Sequence, residues 1–518
     1  MNLIQSNAFF CSRIQTFKEI KLDILISERN LFHMDCKDTL KCFYGNSPDS
    51  AHASYLARKL ATLCITINEY PSLRYQASSN FARDIALILN DMLSEFKSSN
   101  PAFVCNGDDR DSTRDRGQLL ICDRTFDTLS PLMHEYTYQA IANDLLNIVE
   151  GCVTYNVTEG KGSVEKKALL NENDEFWMDL KYQHIAQVIN SIKDRMQDII
   201  QNNASAGMAK KTSGGTDVSI AAMSAAVKEL PEYRQTMAKL GQHVSLAQQC
   251  MNSFGKNNLM AISQLEQTMS TGLDEDGKEF KGPKLVQLLG ETLEDPQMSK
   301  IDKIRLLAIF IMTQKGVSAS DRQSLIQAAK LNGGEQQVLM NFEKIGQLMA
   351  TAKGPGIGGV FGGLFGGGKG APAKPTAPDD GGNIDTRHTC ELKNILEAFI
   401  AGNLPSDKWY SAGPAPPVSG ESKVSSVRTR KFGNTNTNHA QFNGGRIMAF
   451  VAGGICYSEI RSANEIETKM KREIILGGSC IMSPKAFMKS VAGIDPTSER
   501  LDIFNDDSLT VADGSHRL

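Results

Sequence analysis

The sequence predicts an α/β protein carrying a large, mostly helical insertion. Three observations carry this. Residues 117–148 read as an apolar strand at 119–122, a charged loop and a helix. Residues 446–491 run strand, glycine turn and helix twice over, and strands joined through helices are parallel. Between these two regions, from residue 172 to 352, the pattern changes to long helical periodicity. The economical arrangement is one parallel sheet built from both chain halves, with the helical middle inserted between them.

Taken in order, residues 21–27 alternate apolar and polar as a strand, with Phe17 and Ile20 on a short helical stretch before it. This opening reads as the tail of an α/β unit whose earlier part is absent. Residues 55–68 form a helix with Leu56, Leu60, Leu63, Cys64 and Ile67 on one face, ended by Glu69-Tyr70-Pro71. Residues 81–96 form a second, with Phe81, Ile85, Ile88, Leu89, Met92 and Phe96 at the same period. The charged stretch 100–116 is a solvated loop before the strand at 119–122. That strand is an apolar run bounded by charge, as a buried parallel strand should be. Ser130-Pro131 is expected to open the next helix, Ser as the cap and Pro at the first helical position, with Glu135 in the first turn.

The middle begins with one helix over 174–201, striped by Trp177, Leu180, Ile185, Val188, Ile192, Met196 and Ile199. A small, polar loop follows at 202–216. Over 230–254, Leu230, Tyr233, Met237, Leu240, Val244, Ala247, Met251 and Phe254 recur by threes and fours, a seam packed on another helix within the chain. Residues 274–284 are a polar loop. Residues 301–315 and 319–331 form a helical hairpin around Gly316, and 335–352 add another helix. The glycine-dense stretch 354–370 and the Pro/Ala/Asp-rich stretch 371–385 read as a mobile insertion and a linker. A short helix at 392–400 and a loop at 411–438, with basic residues at 428–431, lead to the second α/β region. There, strands at 447–451 and 473–476 precede helices at 457–470 and from Ser483-Pro484 to 491. The tail after Asp495 is expected to be loose.

Composition narrows the function classes. The 518 residues are enough for two or three domains, and 41% hydrophobic content supports a buried core. A net charge of −3 gives no basic excess for nucleic acid or an anionic membrane. The 11 cysteines are scattered without a CxxC pair, as in a reduced, cytosolic protein. The longest strong apolar run, 306–312, is too short to cross a bilayer, and no signal peptide is visible.

Catalytic patterns are weak. Asp123 and Asp127 straddle Thr125 at a strand end, where an aspartyl-phosphate enzyme would want a second Asp. A metal-dependent, phosphatase-like enzyme using this pair is the alternative reading; an ion pair with Arg124 or another Arg, fixing the loop, is the plainer one. His134, His184 and His243 each stand alone on expected helices. No GxSxG elbow exists, and His134-Glu135 lacks the second His of HExxH. Gly354, Gly356 and Gly359 satisfy GxGxxG, and Gly363 with Gly368-Lys369 satisfies GxxxxGK. Gly370 stands where Ser or Thr should hold magnesium, and no strand precedes either match. No catalytic residue, metal ligand or cofactor is assigned.

LLICDRTFDTLSPLMHEYTYQAIANDLL, residues 119–146, resembles the signature of the SM (Sec/Unc-eighteen) family of syntaxin-binding proteins: a strand, Asp-Arg-x-x-Asp, then Pro and His-Glu. ATLCITINEYPSLRY, LKYQHIAQV, LPEYRQTMAKLGQHVSLAQQCM, DKIRLLAIFI, IMAFVAGGICYSEIRSANEI and IILGGSCIMSPKAFM agree in the same order. The resemblance covers most of the chain and is nearest to the neuronal or plasma-membrane type serving exocytosis. It implies an arch-shaped, three-domain, non-enzymatic monomer that clasps syntaxin and templates assembly of SNARE helices. Such a protein is cytoplasmic and reaches membranes only through syntaxin. It implies domain limits at 1–28, the end of a first α/β domain; 29–150 with 436–518, a second; and 151–435, a third with its loop at 353–385. Asp123, Arg124, Asp127, Pro131, His134 and Glu135 then form the structural signature. The hairpin 301–331 implies a SNARE groove at Ile304, Leu307, Ile311, Leu325, Ile326 and Ala329, each about as well explained as core. With most of a first domain absent, the cleft for closed syntaxin and the pocket for its N-terminal peptide are in question. A chain that has lost syntaxin binding and acts as a scaffold is a third reading.

Overall fold

The structure, a computed structural model, describes residues 13, 16, 22–101, 103, 115–159, 162–209, 231–314, 317–352, 387–413, 442 and 444–504. Phe17 and Ile20, the glycine-dense stretch, the linker at 371–385 and the basic residues at 428–431 lie outside the described residues.

The chain enters on β1 (Leu25–Glu28) and returns at once as β2 (Leu31–His33), antiparallel to it. Helices α1 (Thr39–Tyr44) and α2 (Ser50–Thr66) follow, α2 capped by the Asp49 carboxylate, which accepts the Ala51 N–H at 2.9 Å. β3 (Ser72–Gln76) is a strand that the sequence did not announce. α3 (Asn80–Ser99) starts from the Ser79 hydroxyl, which accepts the Ala82 N–H. β4 (Gln118–Asp123) carries the expected apolar run. α4 (Tyr138–Leu145) starts later than expected. Ser130-Pro131 instead opens a single 3-10 turn, Ser130–Leu132, and Glu135 precedes the helix rather than lying in its first turn. A small antiparallel sheet then appears from β5 (Ile148–Val149), β6 (Cys152–Glu159) and β7 (Gly162–Leu169).

The helix expected over 174–201 is two: α5 (Glu175–Leu180) and α6 (Ile185–Ala209). The break has a physical use. The carbonyls of Lys181 and Gln183 accept the N–H groups of Gln139 and Tyr138, which open α4 and have no intrahelical partner. α6 also runs on to Ala209, through half of the expected loop. α7 (Pro231–Lys256) buries Leu240, Ala247 and Phe254 of its seam, while Met237 and Val244 are half-buried and Met251 is exposed. Leu230 and the Tyr233 side chain lie outside the description. α8 (Leu259–Thr271), α9 (Pro283–Glu294), α10 (Lys300–Thr313), α11 (Ala319–Ala329), α12 (Gly333–Ala352) and α13 (Glu391–Ile400) complete the helical part.

β8 (Trp409–Ala412), β9 (Ile447–Ala452), α14 (Tyr457–Met470), β10 (Ile474–Gly478), α15 (Pro484–Ala492) and α16 (Pro496–Glu499) follow. The large sheet has seven strands in the order β1-β2-β10-β9-β4-β3-β8. Both chain halves build it, but it is not wholly parallel. β2, β10, β9, β4 and β3 are parallel neighbours, while β1 and β8 join antiparallel at the two edges. β1 reaches β2 by a two-residue turn, and so short a connection permits only antiparallel pairing. All six residues of β9 are buried, as suits a central strand covered on both faces. One face packs α2 and α3 around Leu60, Leu89, Ile121 and Phe450; the other packs α13 and α14 around Leu120, Leu396, Ala449 and Ile466. The helical part shares a third core with α15, around Phe342, Phe487 and Val491. The tail is ordered further than expected: Ser498 and Phe504 are buried, the latter in a 3-10 turn, Asp502–Phe504.

Candidate functional site

The signature residues lie where the carboxyl end of β4 meets the helical part, the end of an open sheet at which groups converge. Asp123 ends β4 fully buried. Its carboxylate accepts the Tyr44 hydroxyl at 2.7 Å, the Ser79 hydroxyl at 2.9 Å and the Thr125 N–H at 2.9 Å. Its own N–H donates to the Gln76 side-chain oxygen on β3 at 3.0 Å. Burial and the neighbouring Asp123 charge push the Tyr44 phenol up, so it stays a donor.

Arg124 is also fully buried. Its guanidinium forms a two-pronged pair with Glu459 of α14, at 2.7 and 2.9 Å, and donates to the Gly454 carbonyl at 3.1 Å. Phe126 lies against it, 4.6 Å from guanidinium carbon to ring centre. Burial alone would lower the Arg124 pKa; the Glu459 carboxylate overrides it and raises it. The Gly453-Gly454 turn lets this contact form. Both glycines have positive φ, and a β-carbon on Gly453 would fall 2.6 Å from Cβ of Arg124.

Asp127 does the capping expected of Ser130. Its carboxylate accepts the Leu129 and Ser130 N–H groups, at 3.0 and 2.9 Å, the Ser130 hydroxyl, and the Glu391 N–H at the start of α13, at 3.0 Å. Burial would raise its pKa; Arg124, His388 and the Ser130 hydrogen bonds together hold it below the usual range. Pro131 is buried in the turn. His134 lies on an extended stretch, not a helix, and is buried among charges. Its Nδ1 meets Glu266 of α8 at 2.8 Å and its Nε2 meets Nη1 of Arg305 on α10 at 2.9 Å. Taking Arg305 as the donor assigns a neutral ring with its proton on Nδ1. Arg305 also donates to Asp144 of α4 at 2.9 Å and to the Leu132 carbonyl. Burial would lower the Arg305 pKa; Asp144 and Glu266 raise it. Glu135 faces Arg461 of α14 at 3.5 Å. His243 is buried between Tyr138 and Asp174, and His184 precedes α6 with its ring stacked on Tyr136. Glu459, Glu266, Arg305 and Asp144 are the charged partners that sequence reasoning missed.

Chemically, this arrangement holds elements together. The Asp123 and Asp127 carboxylates accept donors of this chain, and both are buried. Among the described residues, no group of three or more His, Cys, Asp or Glu side chains could hold a metal ion. The segment 123–135 ties β4 to α8, α10, α13 and α14, so it joins the sheet to the helical part.

The six residues expected to line a partner groove divide by burial. Ile304, Leu307, Leu325 and Ala329 are buried, and Ile311 and Ile326 are half-buried. α10 is enclosed by α8, α11 and α12 and by the turn at Asp502–Phe504. Ile304, Leu307, Leu325 and Ala329 are therefore core, while Ile311 and Ile326 keep part of their surface exposed.

Comparison with known proteins gives a consistent picture. The model of the Sec1 family matches residues 2–490. "Protein transport protein sec1" of Dictyostelium discoideum is 30% identical over 92% of this chain and 77% of its own length. "SNARE-interacting protein KEULE" of Arabidopsis thaliana is 25% identical over 94% of this chain and 78% of its own. Among solved structures, the Unc18–syntaxin 1 complex from Monosiga brevicollis has a similar fold, with TM-score 0.71 and 23% identity over 91% of this chain and 76% of that one. The SM protein Vps45 in complex with the Qa SNARE Tlg2 gives 0.65 and 20% over 92% and 76%.

Proposed function

The chain belongs to the Sec1 family, and from that membership we propose that it is a non-enzymatic SNARE regulator, binding a syntaxin-type SNARE and promoting SNARE assembly in vesicle docking and fusion. The observation that carries this is the family match over residues 2–490, together with a protein-transport relative at 30% identity. The solved relatives named for complexes with syntaxin and a Qa SNARE support the same partner class. The sealed Asp123 and Asp127 carboxylates fit a binding protein better than a phosphatase.

Further features belong to the same proposal. The chain serves exocytosis at the plasma membrane, as a monomer that associates with membranes through syntaxin. No helix of the described residues is long and apolar enough to cross a membrane. It also engages assembled SNARE helices. The proposed domain limits are 1–28, 29–150 with 436–518, and 151–435. The SNARE helix is proposed to meet the hairpin of α10 and α11, where Ile311 and Ile326 are half-buried. A SNARE regulator of this kind works by lowering the ordering cost of bundle assembly.

Calorimetric titration of the purified chain with the cytosolic part of a plasma-membrane syntaxin tests this. Saturable binding at micromolar Kd or tighter is expected, on the order of −8 kcal/mol. A folded sample that shows no heat above dilution, with syntaxin or with an isolated vesicle-SNARE helix, overturns it.

A further inference from the structure

A groove lies between α8 and α9, on the far side of α8 from the Glu266 network. Two cavities occupy it, of about 450 and 260 Å3, and they share Ala261 and Thr292 as walls. Each helix turns one face to it. Ala261, Gln264, Leu265 and Thr268 recur at i, i+3, i+4 and i+7 along α8; Leu288, Glu291, Thr292 and Asp295 do the same along α9 and its end. The adjoining face of α9 is spent on core: Leu285, Leu289 and Leu293 are fully buried. Leu288 remains 41% exposed beside this packed face. Phe280 adds an aromatic wall. The groove therefore sets Ala261, Leu265, Phe280 and Leu288 among Gln264, Thr268 and Thr292, and the named face of each helix runs for about 10 Å, two helical turns.

Its rim is acidic. Asp274, Glu275 and Asp276 line one end, Glu291 and Asp295 the other, and no Lys, Arg or His lines either cavity. Lys278 pairs with Asp276 at 3.1 Å and offsets part of one end. Glu275 and Glu291 are exposed to solvent. An acidic rim repels anionic lipid headgroups and favours a cationic occupant, while the apolar side chains favour an occupant with an apolar face.

We propose that the groove between α8 and α9 is a docking site for a basic amphipathic helix of a partner protein, seated with its apolar face on Leu265, Phe280 and Leu288 and its lysines or arginines against Glu275 and Glu291. The proposal does not depend on syntaxin binding and can fail or hold separately from it.

The test uses the whole chain and two labelled peptides of about 14 residues, one with Leu on one helical face and Lys on the other, one with Glu in place of Lys. Fluorescence anisotropy should show the Leu/Lys peptide binding at least about tenfold tighter, an advantage that shrinks as salt rises. The double charge reversal Glu275→Lys with Glu291→Lys, both at exposed positions, should weaken it about fivefold or more, and Leu288→Ser about threefold, with circular dichroism and the melting curve unchanged. No binding, equal binding of the two peptides, or smaller losses in both folded variants overturns the proposal.

Discussion

Neutralising Glu459 should loosen the sheet from its helices, and the structure sets the size of the effect. Arg124 and Glu459 are both wholly buried and paired at 2.7 and 2.9 Å. In Glu459→Gln the amide oxygen can still accept the Cys456 N–H that caps α14, now at 3.0 Å. The charge alone is lost, leaving the Arg124 guanidinium buried without its counter-ion. Breaking one side of such a pair costs about 3–5 kcal/mol. Arg124→Met keeps the stem beside Phe126 and strands Glu459 instead, at similar cost. The double variant removes both charges and should recover roughly 2 kcal/mol or more of the summed loss.

The assay can be made local, because the chain has two tryptophans. Trp409 sits on β8 at the sheet edge and Trp177 in the helical core. In a Trp177→Phe background, urea unfolding followed by fluorescence reports the sheet. With a slope on the order of 3 kcal/mol per molar, each single variant should lower the midpoint by roughly 1–2 M. Midpoint losses below about 0.3 M, with an additive double variant, would refute the assignment of Arg124 and Glu459 as the tie between β4 and α14.

Three further outcomes follow from the same geometry. Asp127 and Asp174 are held below the usual carboxylate range despite burial, by charged and hydrogen-bonding neighbours. The stability they contribute is whole above about pH 4 and is lost as pH falls through their depressed folded values. The urea midpoint should therefore begin to drop near about pH 4 and keep falling at lower pH, and by less in Asp127→Asn, which should be less stable at neutral pH. Leu307→Ala should cost about 2–5 kcal/mol of stability because Leu307 is core; a syntaxin-affinity loss at unchanged urea midpoint would restore it to a binding surface. Among the nine described cysteines, Cys152 is exposed, whereas Cys64, Cys250, Cys390 and Cys480 are buried with thiols pushed up to about 12. Mass spectrometry after brief alkylation near pH 8 should find Cys152 labelled and those four labelled only in denaturant.

What the sequence made legible was what local pattern encodes. β9 and β4 are continuous apolar runs, and burial on both faces leaves no other reading for them. β3 was hidden because Ser72-Leu73-Arg74-Tyr75-Gln76 has no apolar run; its strand character comes from pairing with β4 and β8, which only the fold supplies. The β6–β7 hairpin had a signal, two alternating runs around Gly160-Lys161-Gly162, that was passed over. The break at Lys181 was invisible for a different reason: the need it serves is at α4, more than forty residues earlier in the chain.

The signature residues show the same division more sharply. Asp123, Arg124 and Asp127 could be recognised as a cluster, but the partner of Arg124 is 335 residues away and that of Asp127 on α13 is 264 away. One clue was available. Arg305 stands alone beside the apolar run 306–312, and a helix buried all round cannot keep a guanidinium without acids to meet it. Glu266 and Asp144 meet it, with His134 bridging. The same run was the basis for a surface groove, and burial divides it: Ile304 and Leu307 are core, while Ile311 keeps part of its surface exposed. The groove between α8 and α9 presents Ala261 and Leu265 of α8 and Leu288 of α9, and Glu275 and Glu291 at its rim are exposed, where an incoming cation meets them in solvent rather than inside a buried network.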